Sequence, residues 1–164
     1  MLLYKWRVSK LHRELGIANY DRLPLQQVAT RLVYVQGIPM TMETALQWQR
    51  MEKAARHSGV TLFIFCAFRG VQEQAMLIRH FLKTKTMAEA LEVAAAPGHS
   101  EHHTGRALDI GTTGCLPPTV EFEHTQAFSW LSTHAEEFNF TLTYPRNNRY
   151  GIAFEPWHWC QRTN

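Results

Sequence analysis

Three histidines, His99, His102 and His103, fall within five residues, and Asp109 follows shortly after them. Imidazole and carboxylate donors together suit zinc, at bond lengths of about 2.0–2.2 Å. His102 in a loop and Asp109 on the strand it feeds can converge if Gly105 allows a tight turn. A catalytic zinc takes a third protein ligand, keeps a position open for water, and needs a base for that water's proton. The block Phe154-Glu155-Pro156-Trp157-His158-Trp159 offers both, with His158 as third ligand and Glu155 as base. Residues three apart in a regular strand point to opposite faces. Glu155 and His158 therefore reach one ion only across irregular backbone, and Pro156, which disrupts ladder pairing, sits between them. The strand proper is expected to begin after Pro156. Taken singly, His102, Asp109 and His158 read as hydrogen-bonded histidines and a turn aspartate; taken together they read as a metal site. Three protein ligands suffice, so His99 and His103 are expected to make hydrogen bonds or touch substrate rather than bind the ion.

The elements that must position these groups follow from periodicity. Lys5 to Leu15 reads as a helix ending near Gly16, and Arg31 to Val35 as a strand before Gly37 and Pro39. Thr41 to His57 has helical spacing, with Gly59 as its stop. Val60 to Phe68 is β-branched, aromatic and apolar on both faces, which predicts a central strand. Val71, Ala75, Ile78, Phe81 and Leu82 mark one face of a helix packed on that strand. Thr86-Met87-Ala88-Glu89 matches a capping box opening a short helix that ends at Pro97-Gly98. Arg106 to Ile110 reads as a short strand, Phe128 to Phe138 as a helix, Phe140 to Tyr144 as a strand, and Glu155 to Cys160 as the last strand. The expected class is α+β, a small and mostly antiparallel sheet with flanking helices.

Composition bounds the rest. The 164 residues are 45% hydrophobic and 12% aromatic, which excludes disorder and low complexity and predicts one domain over 1–164, with 1–22 a less readable N-terminal extension. No apolar run approaches the roughly 20 residues of a membrane span. The net charge of +3 is dispersed, so nucleic acid is not an expected partner. Cys66, Cys115 and Cys160 are odd in number and form no C-x-x-C, which argues against a disulfide framework. With no export signal at Met1 to Arg7, these cysteines favour a cytoplasmic protein, or a periplasmic one if a signal has been removed.

Ser100-x-His102-x-x-Gly105-x-Ala107-x-Asp109, followed by Glu155-Pro156-Trp157-His158, resembles the signature pair of the VanY-like D-Ala-D-Ala carboxypeptidases. These are zinc peptidases of the wider group that includes lysostaphin-type enzymes and hedgehog-like domains. Cys66-Ala67-Phe68-Arg69 with Gln74 resembles the family's Ser-Gly-Tyr-Arg-Ser-x-x-x-Gln stretch, and the likeness runs from about Leu23 to Trp159. The resemblance implies that His102, Asp109 and His158 hold Zn²⁺ and that Glu155 is the catalytic base. It implies further that Arg69 binds and polarises the substrate, with Gln74 and Ser100 near the terminal carboxylate. Gly70 stands where the family has serine after the arginine, Cys66-Ala67-Phe68 replaces Ser-Gly-Tyr, and Trp159-Cys160-Gln161 replaces a common Arg-Tyr-Val. These departures alter a pocket wall and leave the metal set untouched.

The function implied is removal of C-terminal D-alanine from peptidoglycan stem peptides, from the D-Ala-D-Ala end of pentapeptides or from an L-configured centre in tetrapeptides. The absent export signal tilts this toward an LD-carboxypeptidase acting on recycled muropeptides. Two alternatives share the motif: a phage-type L-alanyl-D-glutamate endopeptidase, and a non-catalytic zinc module that binds a peptide or partner. The presence of Glu155 argues against the last.

Overall fold

The computed structural model describes residues 1–162. Alternation along Ala107-Leu108-Asp109-Ile110-Gly111 makes a strand whose Leu108 and Ile110 face an apolar core while Asp109 faces the other way. Numbered in chain order, the elements are helix α1 (Leu2–Leu15), strands β1 (Val33–Val35) and β2 (Ile38–Met40), helix α2 (Met42–His57) and strand β3 (Phe63–Cys66). Helices α3 (Val71–Phe81) and α4 (Met87–Val93) follow, then strand β4 (Ala107–Gly111), helix α5 (Gln126–His134) and strands β5 (Phe140–Leu142) and β6 (His158–Gln161). Four strands form one sheet in the order β3-β4-β6-β5, antiparallel throughout, and β1 and β2 form a separate hairpin. The α+β class read from periodicity is the class observed. Trp48 and Met51 of α2 and Leu131 of α5 pack with Leu108, Ile110 and Phe140 on one side of the sheet, leaving the other side for the site.

Two elements differ from expectation. Val60–Phe68 yields only the short β3, and β3 lies at a sheet edge rather than in the centre. Its residues are apolar on both faces because Ile64 enters the core while Phe65, 53% exposed, opens onto a cavity. Ile38–Met40 is a strand although Pro39 argues against one; it pairs only with β1, in a hairpin whose Gln36-Gly37 turn has both φ values positive.

The β3–β4 ladder carries an irregularity that matters for the site. Ile64 pairs with Ile110, but Asp109 pairs with Cys66 rather than Phe65. The extra residue is a β-bulge, a device that re-aims a side chain. In regular register Cys66 would share the core-facing side with Ile64; the bulge sets it opposite Asp109 instead.

Helix α1 stops at Gly16, left-handed at φ 76°, and its last turn is anchored where His12 Nε2 meets the Pro97 carbonyl at 2.8 Å. His99 lies against the His12 and Tyr20 rings and meets the Leu23 carbonyl through Nδ1 at 2.7 Å. Burial pushes the His99 pKa down; the Leu23 and Pro24 carbonyls offset part of this, and His12 adds to the fall. The unfolded chain therefore binds this proton more readily, so stability contributed here is present above about pH 6.5 and is lost as pH falls below it. Replacing His99 by Gln should flatten that part of the stability–pH curve measured by urea unfolding; an unchanged slope would refute the assignment.

Candidate active site

The loop after β3 and the turn before β4 hold each other. His102 sits in a 3-10 turn, Glu101–Thr104, which ends at Gly105 in the left-handed region at φ 66°. An added Cβ at Gly105 would press on Leu32 and Thr41 at 3.1–3.3 Å, so glycine serves both the turn and the close approach. The His102 ring meets the Ala67 carbonyl through Nδ1 at 2.5 Å, and its backbone carbonyl accepts from the Arg69 N–H at 3.2 Å. With Nδ1–H donated to Ala67, Nε2 is free to ligate. That atom lies 3.4 Å from Asp109 Oδ1.

His158 arrives from the far end of the chain. Its N–H donates to the Glu155 carbonyl at 3.0 Å, closing a turn through Pro156-Trp157 that leaves both side chains on one side. The expectation that the strand begins after Pro156 agrees with β6, which starts at His158 and pairs it with Asp109. His158 Nδ1 lies 3.2 Å from Asp109 Oδ1 and 3.8 Å from Glu155 Oε2. Two donors on one tetrahedral zinc, each at about 2.0–2.1 Å, lie about 3.3–3.4 Å apart. Both spacings from Asp109 Oδ1 fit that shell, and the donor set of two imidazoles and a carboxylate suits zinc chemistry.

The electrostatics are those of charges sharing a buried site. Burial works against a charged Asp109, but the facing His102 and His158 outweigh it and hold its carboxyl well below the usual range. Burial likewise opposes charge on His158, yet hydrogen bonds to Asp109 and Glu101 prevail and push it up to about 10. Glu155 has no such compensation: burial pushes its carboxyl up to about 7, with His158 offsetting only part. A base poised near neutrality is well matched to proton transfer at neutral pH.

Glu101, which sequence reasoning leaves solvated, is mostly buried and meets His158 Nε2 through Oε2 at 3.0 Å. It thereby orients the ring with Nδ1 toward Asp109. Its partner lies 57 residues away, so local reading had no signal for it beyond a carboxylate next to His102. Carboxylate partners of metal-binding histidines typically carry about 10–100-fold in metal affinity. Replacing Glu101 by Ala should cost that much in zinc affinity measured against a chelator, and Gln, whose amide oxygen still accepts, should cost less. Equal affinity in all three proteins would refute this role.

Arg69, Ser100, His102, Asp109, Glu155 and His158 all line one cavity of about 260 Å³. Gln74 does not. It is fully buried behind Arg69, accepting from Arg69 Nε at 2.7 Å and donating to the Ala95 carbonyl at 2.7 Å. Gln74 thus holds Arg69 through Nε, which leaves both Nη groups of the guanidinium for a ligand. His103 is also buried, accepting from the Gly98 N–H through Nε2 at 3.0 Å and bonding the Arg69 carbonyl through Nδ1 at 2.6 Å. Its ring and that of His99 are committed to backbone partners away from the shell. Tyr144, unmarked in the sequence, lines the cavity with its ring 4.8 Å from that of His158.

A small antiparallel sheet presents His, Asp and His donors beside a buried glutamate, an arrangement able to hold a metal ion on an α+β scaffold. The profile of the VanY family, D-alanyl-D-alanine carboxypeptidase, matches residues 37–163, and the chain belongs to that family. It is 30% identical over 125 residues to a D-alanyl-D-alanine carboxypeptidase of Enterococcus faecium, covering 74% of this chain and 37% of that one. Among solved structures, the LdcB LD-carboxypeptidase is similar at a TM-score of 0.70 with 26% identity, covering 89% of this chain and 70% of that chain. The vancomycin resistance D,D-pentapeptidase VanY, a mutant solved in complex with Zn(II), is similar at 0.69 with 25% identity, covering 87% of this chain and 84% of that one. The chain spans 37–58% of the length of three curated relatives it matches. No helix among the described residues is long and apolar enough to cross a membrane.

Proposed function

We propose that the chain is a zinc-dependent carboxypeptidase that releases C-terminal D-alanine from peptidoglycan stem peptides. The observation that carries this reading is Asp109 Oδ1 standing 3.4 Å from His102 Nε2 and 3.2 Å from His158 Nδ1, beside the buried Glu155. Zinc held by those three atoms would lower the pKa of a coordinated water toward about 7 and polarise the scissile carbonyl.

Every other step belongs to the chain. Glu155, its carboxyl near neutrality, takes the proton of the attacking water and later delivers it to the leaving amine nitrogen of D-alanine. Arg69, held through Nε by Gln74, presents its Nη groups to the developing oxyanion or the terminal carboxylate. A well-placed donor of this kind typically contributes about 3–4 kcal/mol to the transition state. Ser100, buried at the cavity wall, is placed to contact the terminal residue. Burial of Asp109, His158 and Glu155 strengthens the electrostatic interactions among them.

Digestion of defined tri-, tetra- and pentapeptide muropeptides, read by mass, tests the reading. Loss of D-alanine from the pentapeptide marks a DD-carboxypeptidase and loss from the tetrapeptide an LD-carboxypeptidase. An internal cut between L-alanine and D-glutamate, or a zinc-loaded protein inert on all three, would overturn it.

A further inference from the structure

We propose that Cys66 is a fourth ligand, a thiolate that completes the metal shell in the substrate-free protein. The proposal rests on the zinc reading above and extends it to a residue type that the family stretch Ser-Gly-Tyr-Arg does not carry at this place. Three observations place the sulfur there. The bulge in β3 pairs Cys66 with Asp109 across the ladder, on the site side of the sheet. The ligand atoms of Cys66, His102 and Asp109 lie within 4.8 Å of one another. Cys66 also lines the same cavity as Arg69, Glu155 and His158.

Donors on one tetrahedral zinc, with sulfur at about 2.3 Å and nitrogen or oxygen at about 2.0–2.1 Å, stand about 3.6 Å apart. A modest rotation of the cysteine side chain spans the difference. Cys66 makes no strong hydrogen bond that would resist it; its thiol meets the Ala67 carbonyl only at 4.0 Å. The chemistry balances without an oxidant or reductant. The thiol proton leaves to solvent, one sulfur–metal bond forms, and one water returns to bulk. A catalytic shell keeps a position for water, so the thiolate occupies that position at rest and yields it, regaining a proton, when substrate and water enter. The shell of two nitrogens, one oxygen and one sulfur is also softer than one without cysteine, which favours thiophilic ions.

Titration of metal-free, reduced protein with Co²⁺ under anaerobic conditions tests this. Visible ligand-field bands report an ion in the site whatever its fourth ligand, and a near-ultraviolet sulfur-to-cobalt charge-transfer band reports thiolate coordination. The expected result is both bands in the wild type, with loss of the charge-transfer band in Cys66→Ser while the visible bands persist. Visible bands alone in the wild type would overturn the thiolate and leave the metal site standing. A charge-transfer band that survives in Cys66→Ser would place the sulfur at another cysteine and overturn it as well. Absence of both bands would refute the metal reading itself. As an independent readout, Cys66→Ser should lose preference for Cd²⁺ over Zn²⁺ in competition titrations; an unchanged preference counts against the proposal.

Discussion

Glu155→Gln should retain zinc with wild-type stoichiometry and lose turnover by about 10²–10⁴-fold or more. The substitution conserves shape and removes only the capacity to accept a proton. Glu155 Oε2 stands 3.8 Å from His158 Nδ1, farther than Asp109 at 3.2 Å, and its proposed role is that of base rather than ligand. Burial raises its carboxyl to about 7, which suits it to proton transfer near neutral pH. Metal content by elemental analysis and D-alanine release measured on one preparation separate the two roles. A Glu155→Gln protein with near-normal rates would sink the base assignment, and one that lost its zinc would make Glu155 a ligand.

Zinc should raise the melting temperature of the metal-free protein substantially, and Asp109→Ala should abolish the rise. Asp109 Oδ1 is the common neighbour of both ring nitrogens, at 3.4 and 3.2 Å, so its removal dismantles the shell at its centre. An ion that binds only the folded chain stabilises it by about 4 kcal/mol at a free concentration a thousand times its dissociation constant. At roughly 2–4 °C per kcal/mol for a chain of this size, the shift is about 8–16 °C. Differential scanning calorimetry with and without a chelator measures it. An equal shift in Asp109→Ala would place the ion elsewhere, and no shift in the wild type would refute the site.

Much of this site was legible because its donors are tied to local chain geometry. Gly105 announces the turn that carries His102, and Pro156 announces the irregular backbone that lets Glu155 and His158 face one way. What escaped depends on contacts distant in sequence. Glu101 gains its meaning only from His158, and the hold of Gln74 on Arg69 and the Ala95 carbonyl has no local mark in the sequence. The edge position of β3 escaped for a related reason: an apolar run reads alike whether its second face meets a helix or lines a cavity. The bulge at Phe65 has no compositional mark at all, yet it decides which side of the sheet Cys66 occupies.

The pairing of β4 with β6 sets the order in which this protein can mature. Asp109 and His158 are 49 residues apart, and Glu101 and His158 are 57 apart. Such non-local pairs form only after a long loop has closed, late on the route from coil to native chain. During synthesis Cys66, His102 and Asp109 emerge well before His158, and an ion meeting the nascent chain finds a shell that lacks its last proposed donor. With the proposed ligands, full-affinity metal capture would follow docking of the C-terminal strand, so that uptake would register completed folding rather than direct it.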